Sequence, residues 1–354
     1  MHNILFIITK SEVGGAQKFV KEQVDITSSI FNVYLCTNKE GWLTNVTSRK
    51  VKSFLLNKGI EKMSSIRFLF SLYQFIKKNE INLVITNSAN GGFYGRLAAF
   101  FANVPSCYFS HGWSSVYNGG RLIWVLNFIE KILSKISQKV ICVSDNDYKI
   151  AINKIGISPV KLCVIKNAIF PILDNVNTMQ VSSKNSFAII ALARFAKPKR
   201  IDLMIKAFKQ LPDIDLYIAG SGPDFKYWKD FLNKDKGIKN VTLLGEVPSF
   251  NSFQIYSAFL LVSDSEGLPI SAMEAMSAGL PLILSNVGGC SELIRNNGFL
   301  VDNKVNDIVQ KVLLIKKNQH KFSENSKVFF NQHFNLNHTS SKYTDCYLNL
   351  ITVY

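Results

Sequence analysis

Two glutamates flank a short apolar stretch in residues 266–281, EGLPISAMEAMSAGLP. Pro269 suits the first helical position because it has no N–H to leave unpaired, and Gly279 suits the position after a helix. Glu266 is therefore expected in a loop and Glu274 inside the helix that follows it. Their spacing is not that of an i, i+4 pair, so we expect them to contact different parts of one ligand. The alternative is a carboxylate at a helix N-terminus and a solvated glutamate.

Four cations follow a strand-like run in residues 193–200, ARFAKPKR. They are Arg194, Lys197, Lys199 and Arg200. Guanidinium and ammonium groups gathered at a strand end are typical of a phosphate-binding site. The alternative is a solvated loop with an excess of positive charge.

Three further segments place polar or small residues at the ends of strand-like runs. His111, in SHGW, could donate to a phosphate or a sugar hydroxyl, or act as an acid or base. Gly14 and Gly15 precede the first helix, where the backbone can approach a ligand and the helix N-terminus offers N–H groups. Gly222 lies in the turn GSGP. Each could instead be structural, as a packing histidine or a tight turn.

The composition indicates a globular chain with a large core. The chain has 354 residues, of which 47% are apolar and 19% charged, so two domains are expected. Its formal charge is +16, and residues 1–172 hold 21 Lys/Arg against 9 Asp/Glu. A basic first half favours an anionic partner: a phosphorylated ligand, nucleic acid or an acidic membrane surface.

The cysteines and the apolar runs predict a cytoplasmic protein. Six cysteines occur without a CxxC pair, and several lie in strand-like runs, so we expect reduced, buried thiols. The first apolar run is short and lacks a cleavage site, so it predicts a buried strand rather than a signal peptide. The longest apolar span, LIWVLNFI at 122–129, is far shorter than the roughly 20 residues that cross a bilayer.

Strand-like runs alternate with amphipathic stretches along the whole chain. We predict strands at 4–8, 32–36, 82–86, 106–109, 139–143, 162–165, 187–191, 215–219, 241–244, 259–262 and 281–284. We predict helices at 17–28, 66–78, 95–102, 121–137, 201–210, 225–233, 270–277 and 305–317. This alternation is typical of βαβ units in an α/β fold, with parallel sheets covered by helices on both faces.

The stretch 171–185 is the best boundary, because it is polar and weakly periodic. We therefore predict two Rossmann-like doubly wound domains, 1–170 and 186–335, that face a central cleft. Ligands should bind there at the carboxyl ends of the strands. The tail, 336–354, is predicted to contain a C-terminal helix.

Taken in chain order, these residues resemble a known family. The Gly14-Gly15 pair, His111-Gly112, Arg194 with Lys199, GSGP at 220–223 and Glu266-x7-Glu274 occur as in the retaining glycosyltransferases of family 4, which have the GT-B fold. The segment VIKNA at 164–168 resembles the family's interdomain VIPNG, and GGCSELI at 288–294 resembles the segment after the second glutamate. The resemblance extends over nearly the whole chain.

The resemblance implies that one group of residues holds the phosphates of a nucleotide-sugar donor. Arg194 and Lys199 would bind the diphosphate and offset the charge of the leaving group, with Lys197 a second candidate for this lysine. Gly14 and Gly15 would approach these phosphates from the first domain, and Gly222 is a further donor-binding residue. Fixed cations and helix N-termini would supply the electrostatic stabilisation, so neither a metal nor a cofactor is implied.

The resemblance implies that a second group holds the sugar and the ribose. Glu266, with the backbone of Gly267 and Leu268, would hold the transferred sugar, and His111 would contact that sugar. Glu274 would bind the ribose hydroxyls of a UDP- or GDP-linked donor. His111, Arg194, Lys199 and Glu266 are thus the predicted catalytic residues. The C-terminal helix would cross back to the first domain, which would bind the acceptor.

Three positions depart from the family's pattern. Ala168, Ala193 and Arg200 stand where the family usually has glycine. These departures bear on individual donor contacts rather than on the class of enzyme.

The predicted function is transfer of a hexose or N-acetylhexosamine to a saccharide or lipid-linked saccharide during synthesis of a bacterial surface polysaccharide, such as capsule, O-antigen or lipopolysaccharide. Helical stretches such as 66–78 mix aromatic and cationic residues, which favours peripheral association with an anionic membrane at the cytoplasmic face of the inner membrane. For these stretches the alternative is an ordinary helix that faces the core. The alternatives are a GT-B nucleotide-sugar epimerase and a basic nucleic-acid-binding protein, although the sequence contains no RNP, helix-turn-helix or zinc motif.

Overall fold

The computed structural model describes residues 1–113, 116, 120–172, 187–247 and 250–353, with the backbone alone at residue 121. The chain divides into two compact units. The first is Met1–Asn167 with Asn337–Tyr354, and the second is Ala168–Leu336. Most of the predicted linker 171–185 lies outside the described residues.

The first unit is built on a parallel sheet of seven strands. The strands are β1 (Asn3–Ile7), β2 (Asn32–Thr37), β3 (Val51–Leu56), β4 (Leu83–Asn87), β5 (Ser106–Ser110), β6 (Lys139–Cys142) and β7 (Leu162–Val164). Their order is β3-β2-β1-β4-β5-β6-β7, and they pair in parallel. The order reverses between β1 and β4, and such a switch point is where doubly wound sheets bind ligands.

The helices of the first unit cover both faces of this sheet. They are Gly15–Thr27, Trp42–Thr47, Ile66–Lys78, Ala89–Ala102, Ile123–Ile136, Asp145–Ile150 and Ser341–Thr352. Ile66–Lys78 packs against Ala89–Ala102, which packs against Ile123–Ile136. Crossovers between parallel strands are right-handed as a rule, which puts the three helices on one face of the sheet. These three helices form a continuous layer, and we call it the outer helix layer.

The C-terminal helix Ser341–Thr352 is part of the first unit. The hydroxyl of its Tyr347 donates to Gln23 Oε1 over 2.8 Å, and both side chains are fully buried. The same ring lies edge-on to Phe6 and Phe109, with centroids 6.2 and 6.3 Å away. The last helix of the chain thus completes the core around its first strand.

The second unit has a parallel sheet of six strands. These are β8 (Ala188–Leu192), β9 (Asp215–Ala219), β10 (Val241–Gly245), β11 (Ala258–Leu261), β12 (Leu282–Ser285) and β13 (Gly298–Val301). Their order is β10-β9-β8-β11-β12-β13, so the switch point lies between β8 and β11. Its helices are Ile201–Lys209, Phe225–Lys234, Ile270–Ser277, Val305–Lys317 and Gln319–His333. Both units are Rossmann-like, and the predicted α/β class is confirmed.

One edge strand in each sheet was not predicted from the sequence. β3 is only partly buried, with lysine and serine near its start, and β13 is only four residues long. The helix Ala89–Ala102 was predicted to begin only at residue 95, because it contains three glycines. A Cβ at Gly95 would lie 2.3 Å from Thr86 Cγ2, so a glycine there lets the helix approach β4 closely.

Candidate functional site

In the second unit, the loops after β8 and β11 lie side by side. Lys199 and Ser263 form an isolated antiparallel bridge, and the N–H of Asp264 donates to Pro198 O over 2.9 Å. β8 and β11 flank the switch point of this sheet. The two segments that the sequence analysis singled out, residues 193–200 and 263–268, therefore meet at the expected ligand-binding edge.

Lys199 and Glu266 form an ion pair between Nζ and Oε1. The two side chains are only 17% and 12% exposed, so water screens their attraction less than in a surface pair. The resemblance assigned Lys199 to the diphosphate and Glu266 to the sugar. The structure shows that these two groups are in direct contact.

Arg194 and Lys197 are the available cations of this edge. Both side chains are exposed. Neither forms an ion pair or a side-chain hydrogen bond with another residue of the described chain. Together with Lys199, they give the loop after β8 three cationic groups within six residues.

Arg200, by contrast, is neutralised within the protein. Its guanidinium donates to both carboxylate oxygens of Asp202, over 2.9 and 2.8 Å, and contacts Asp264 Oδ1 at 3.2 Å. Its hydrogen bonds hold the pKa of Asp202 below the ordinary value for aspartate. The arginine that replaces the family's glycine thus fixes the loop and adds no free charge for a ligand.

A polar network that the sequence analysis missed supports the loop after β11. Asn303 Nδ2 donates to Ser263 O and Asp264 Oδ1, over 3.0 and 3.1 Å. Ser285 Oγ donates to Asn303 Oδ1 over 2.6 Å and accepts from Ser263 N over 2.9 Å. These residues come from the carboxyl ends of three strands, β11, β12 and β13, so no local sequence pattern joins them. They fix the backbone that leads to Glu266.

Gly288 and Gly289 hold the backbone at Glu266 and Gly267. A Cβ at Gly288 would lie 1.7 Å from Glu266 O, and Gly288 has a left-handed φ of 54°. Only glycine fits such a contact without displacing the loop. The N–H of Gly289 donates to Gly267 O over 2.8 Å. The glycine pair after β12 therefore positions the loop that carries the first glutamate.

Glu274 lies in the helix Ile270–Ser277, and only 6% of it is exposed. The helix has the predicted bounds, 270–277, but Pro269 is extended (φ −70°, ψ 117°) and precedes it as the N-cap residue rather than as its first helical residue. Gly279 has a φ of 83°, as expected of a glycine just past a helix end. Leu268 is buried, while Gly267 is partly exposed. No contact in the structure tests the donor role of these residues, which stays a prediction.

Gly220 and Gly222 join the loop after β9 to the loop after β8. Their φ values are 145° and 156°, and a Cβ would lie 2.1 Å from Ala193 O and 2.5 Å from Phe195 O. The N–H of Phe195 donates to Ser221 O over 2.9 Å. This packing is a structural reason for glycine at 222, and donor binding by Gly222 stays a prediction.

In the first unit, His111 follows β5 and is held among uncharged groups. Its Nε2 lies 2.9 Å from Oδ1 of Asn87, a fully buried residue at the end of β4. The ring lies edge-on to Phe19 and nearly parallel to Phe109. Burial lowers the pKa of His111 to about 4, so the imidazole is neutral near pH 7. A neutral ring whose Nε2 donates to Asn87 presents Nδ1 as a hydrogen-bond acceptor.

Two further residues mark the switch point of the first unit, and the sequence analysis did not identify them. Thr9 Oγ1 and Ser88 Oγ lie 2.7 Å apart, which joins the ends of β1 and β4. Ser88 has a left-handed φ of 66°, which is unusual for a residue with a side chain. Gly14 precedes the first helix with an extended φ of −175°, and the space beside Gly15 is open, since a Cβ there would meet no packing atom within 4 Å.

Metal clusters and membrane-spanning helices are both absent from the described part of the chain. No group of three or more His, Cys, Asp or Glu side chains there has an arrangement that could hold a metal ion. No helix there is both long and apolar enough to cross a membrane. Independence of metals stays a prediction.

Solved glycosyltransferase structures share this fold. The structure of Anabaena Alr3699/HepE in complex with UDP and glucose has a TM-score of 0.82 at 17% identity, over 97% of this chain and 98% of that chain. Sucrose-phosphate synthase from Thermosynechococcus elongatus has a TM-score of 0.85 at 16% identity, over the whole of both chains. At these identities the likeness shows the fold alone. The fold class is GT-B, as the sequence predicted.

The family follows from the sequence comparisons. Residues 13–171 match "Glycosyltransferase Family 4", and residues 177–329 match "Glycosyl transferases group 1". The O-antigen biosynthesis glycosyltransferase WbnH of Escherichia coli is 39% identical over 312 residues, 88% of this chain and 89% of that protein. The chain therefore belongs to the family 4 glycosyltransferases, and the predicted enzyme class is confirmed.

A more distant relative extends over almost the whole chain. It is the UDP-Gal:alpha-D-GlcNAc-diphosphoundecaprenol alpha-1,3-galactosyltransferase of Escherichia coli, 25% identical over 368 residues, 96% of this chain and 95% of that protein.

Proposed function

We propose that the chain is a retaining glycosyltransferase of O-antigen synthesis. Its donor is a UDP-linked hexose or N-acetylhexosamine, and its acceptor is a saccharide carried on a lipid diphosphate. The O-antigen relative supports the first statement, and the relative named for UDP-Gal and a diphosphoundecaprenol acceptor supports the second. The enzyme acts in the cytoplasm, where nucleotide sugars are made.

The meeting of the loops after β8 and β11 carries this proposal. The exposed cations Arg194 and Lys197 share the loop after β8 with Lys199, which pairs with Glu266 of the loop after β11 at the switch point of one sheet. A diphosphate needs cationic groups, and a sugar needs carboxylate acceptors for its hydroxyls. This edge offers both within one short segment of each loop.

The ion pair suggests how donor binding begins. A donor diphosphate that attracts Lys199 Nζ would release Glu266 Oε1, which then accepts hydrogen bonds from sugar hydroxyls. Each group exchanges a protein partner for a ligand partner, so neither is left buried without one. In this proposal, the pair keeps both side chains in position before the donor arrives. Glu274, one helix turn inside, binds the ribose hydroxyls.

The proposed chemistry is front-face transfer. The bond between the sugar C1 and the diphosphate oxygen breaks while C1 bonds to the acceptor oxygen on the same face. The leaving diphosphate takes the proton of the acceptor hydroxyl, and Arg194 and Lys199 stabilise its charge. The neutral His111 accepts a hydrogen bond from the transferred sugar, while Gly14 and Gly15 admit the phosphates to the first helix N-terminus.

Product analysis tests this function. The purified protein is incubated with UDP-sugars and a synthetic saccharide on a lipid diphosphate, and the product's anomeric configuration is read by NMR. We expect a product with retained anomeric configuration, and we expect the transfer activity to be unchanged in excess EDTA. The variant Glu274→Ala should no longer be stabilised by the donor in a thermal melt.

Several results would contradict parts of the proposal. An inverted product, or a sugar trapped covalently on Glu266 or Glu274, would exclude front-face transfer. Loss of activity in EDTA would show that a metal is needed. Formation of an epimer from donor alone, without transfer, would favour the epimerase alternative.

A further inference from the structure

The helix Ile123–Ile136 is apolar yet mostly uncovered. Its first seven residues, IWVLNFI, include one polar side chain, but only Leu133 and Ser134 of the whole helix are buried. Trp124, Phe128 and Ile132 are 71%, 60% and 45% exposed. They are spaced four residues apart, so they form one stripe along the helix.

The other two helices of the outer helix layer continue this apolar surface. Ile66 and Phe70, also four residues apart, are exposed on the helix Ile66–Lys78. Phe100 and Phe101 are exposed at the end of the helix between them, Ala89–Ala102. Exposed apolar residues are common singly, but seven on three adjacent helices indicate an interaction surface.

The same layer is strongly cationic. Its three helices contain six Lys/Arg and a single glutamate. That glutamate, Glu130, is paired with the fully buried Arg96, Oε2 to Nη2 at 2.8 Å. The five remaining cations are Arg67, Lys77, Lys78, Lys131 and Lys135. All five are exposed, and none of them pairs with an acidic group in the described part of the chain.

We propose that the outer helix layer docks on the surface of an anionic lipid bilayer. Exposed aromatic and aliphatic residues can enter the headgroup region while lysines and arginines bind acidic headgroups. Tryptophan in particular favours the membrane–water boundary. The helices lie on the bilayer and do not cross it.

The charge distribution decides between a bilayer and a second copy of the chain. A two-fold interface through this layer would bring five cations of one copy against the same five of the other. Like charges at close range oppose such an interface. An anionic surface satisfies the cations and covers the apolar stripe, so it fits both properties of the layer.

Docking on a bilayer is independent of the proposed function, and it can be measured without a substrate. The protein is mixed with vesicles of phosphatidylethanolamine and phosphatidylglycerol, or of phosphatidylcholine alone, and the bound fraction is measured by flotation. We expect binding to the anionic vesicles, weakened by high salt, and little binding to the neutral ones.

Two variants locate the surface. Trp124→Ser/Phe128→Ser should lower partitioning by about tenfold or more, and Lys131→Glu/Lys135→Glu should lower it by a similar factor on anionic vesicles only. The matched control is Tyr227→Ser/Leu313→Ser, which removes exposed apolar side chains of the second unit and should leave binding unchanged. Thermal melts show that each variant is folded.

Three outcomes would overturn the proposal. The first is unchanged binding of both surface variants. The second is equal loss of binding in the control. The third is a dimer in solution that Trp124→Ser/Phe128→Ser converts to a monomer. A brominated lipid should also quench tryptophan fluorescence in the wild type, and Trp124→Phe should remove most of that quenching.

Discussion

The carboxyl edge of the second unit carries charged side chains beside the switch point, whereas the ends of β4 and β5 in the first unit carry neutral ones. Arg194, Lys199 and Glu266 lie at the first of these edges. Asn87 and the neutral His111 lie at the second, against aromatic rings. Yet the strand order around the switch point is equivalent in the two sheets: β3-β2-β1-β4 in the first unit and β10-β9-β8-β11 in the second.

The comparison shows that the loops, and not the fold, set the chemistry of each edge. Charges suit a ligand that is itself charged, such as a diphosphate. An uncharged histidine suits hydroxyl groups, because Nδ1 of His111 can accept a hydrogen bond from one while Nε2 faces Asn87. The predictions below test this division, from the largest expected effect to the smallest.

Loss of Lys199 should have the largest effect. Lys199→Ala removes the proposed ligand of the diphosphate and leaves the mostly buried Glu266 without its cation, so kcat/KM should fall about a hundredfold or more. Lys197→Ala should lower it about tenfold, because that lysine is exposed and has no partner to disrupt. The steady-state kinetics of both variants, with Lys226→Ala as the control, decide which lysine binds phosphate. A larger loss in Lys197→Ala would reverse the assignment.

Glycine-to-alanine substitutions should affect stability differently in the two units. Gly288→Ala places a methyl group against Glu266 O, so the free energy of unfolding should fall by about 1–3 kcal/mol, together with donor affinity. Gly15→Ala meets open space and should leave the unfolding free energy within about 0.5 kcal/mol of the wild type. Denaturant unfolding measures both. A destabilised Gly15→Ala would show that the glycine in the first unit is also required by packing.

Asn87→Asp tests the neutral edge. A carboxylate beside His111 Nε2 should raise the pKa of the imidazole from about 4, so that the ring becomes charged at mildly acidic pH. Activity should then fall about tenfold near pH 6 and recover near pH 8, whereas the wild type shows no such step. NMR titration of the ring and a pH–rate profile check this, with Asn233→Asp as the control. An unaltered profile would remove His111 from the sugar-binding site.

Asp202→Asn should have the smallest effect. Arg200 lowers the pKa of Asp202, so the carboxylate stabilises the fold above its unfolded pKa and loses this effect as pH falls through its folded pKa. Both side chains are about one-third exposed, so the loss at pH 7 should be under about 1 kcal/mol. Denaturant midpoints of variant and wild type should converge in acid. A constant difference at every pH would exclude the ion pair as its cause.

The central strands could be predicted from sequence because they are buried on both faces and form continuous apolar runs. The strands β3 and β13 could not, since an edge strand is half-exposed and its pattern is mixed. The helix Ile123–Ile136 was predicted, but not its exposure. Periodicity reports that side chains are apolar, and only the structure shows whether anything covers them.

The types of residue at the candidate site could be predicted from the sequence, but the contacts between them could not. Lys199 and Glu266 are 67 residues apart, so their pairing depends on how β8 and β11 neighbour each other across the switch point. The role of Asn87 could not be predicted from the sequence. The segment TNSAN at 86–90 contains no known motif, and its partner His111 follows a different strand, β5. Resemblance to a family predicted which side chains would contact the ligand, whereas the residues that orient those side chains could be found only in the folded structure.

The return of the C-terminal helix to the first unit has a consequence for synthesis of the chain. Residues 168–336 form an insertion within the first unit, so the second unit emerges whole while the first still lacks its last helix. Until Tyr347 leaves the ribosome, Gln23, Phe6 and Phe109 lack a partner that buries them in the finished protein. The unit that begins first therefore finishes last, and a truncated chain would expose this surface to chaperones and proteases.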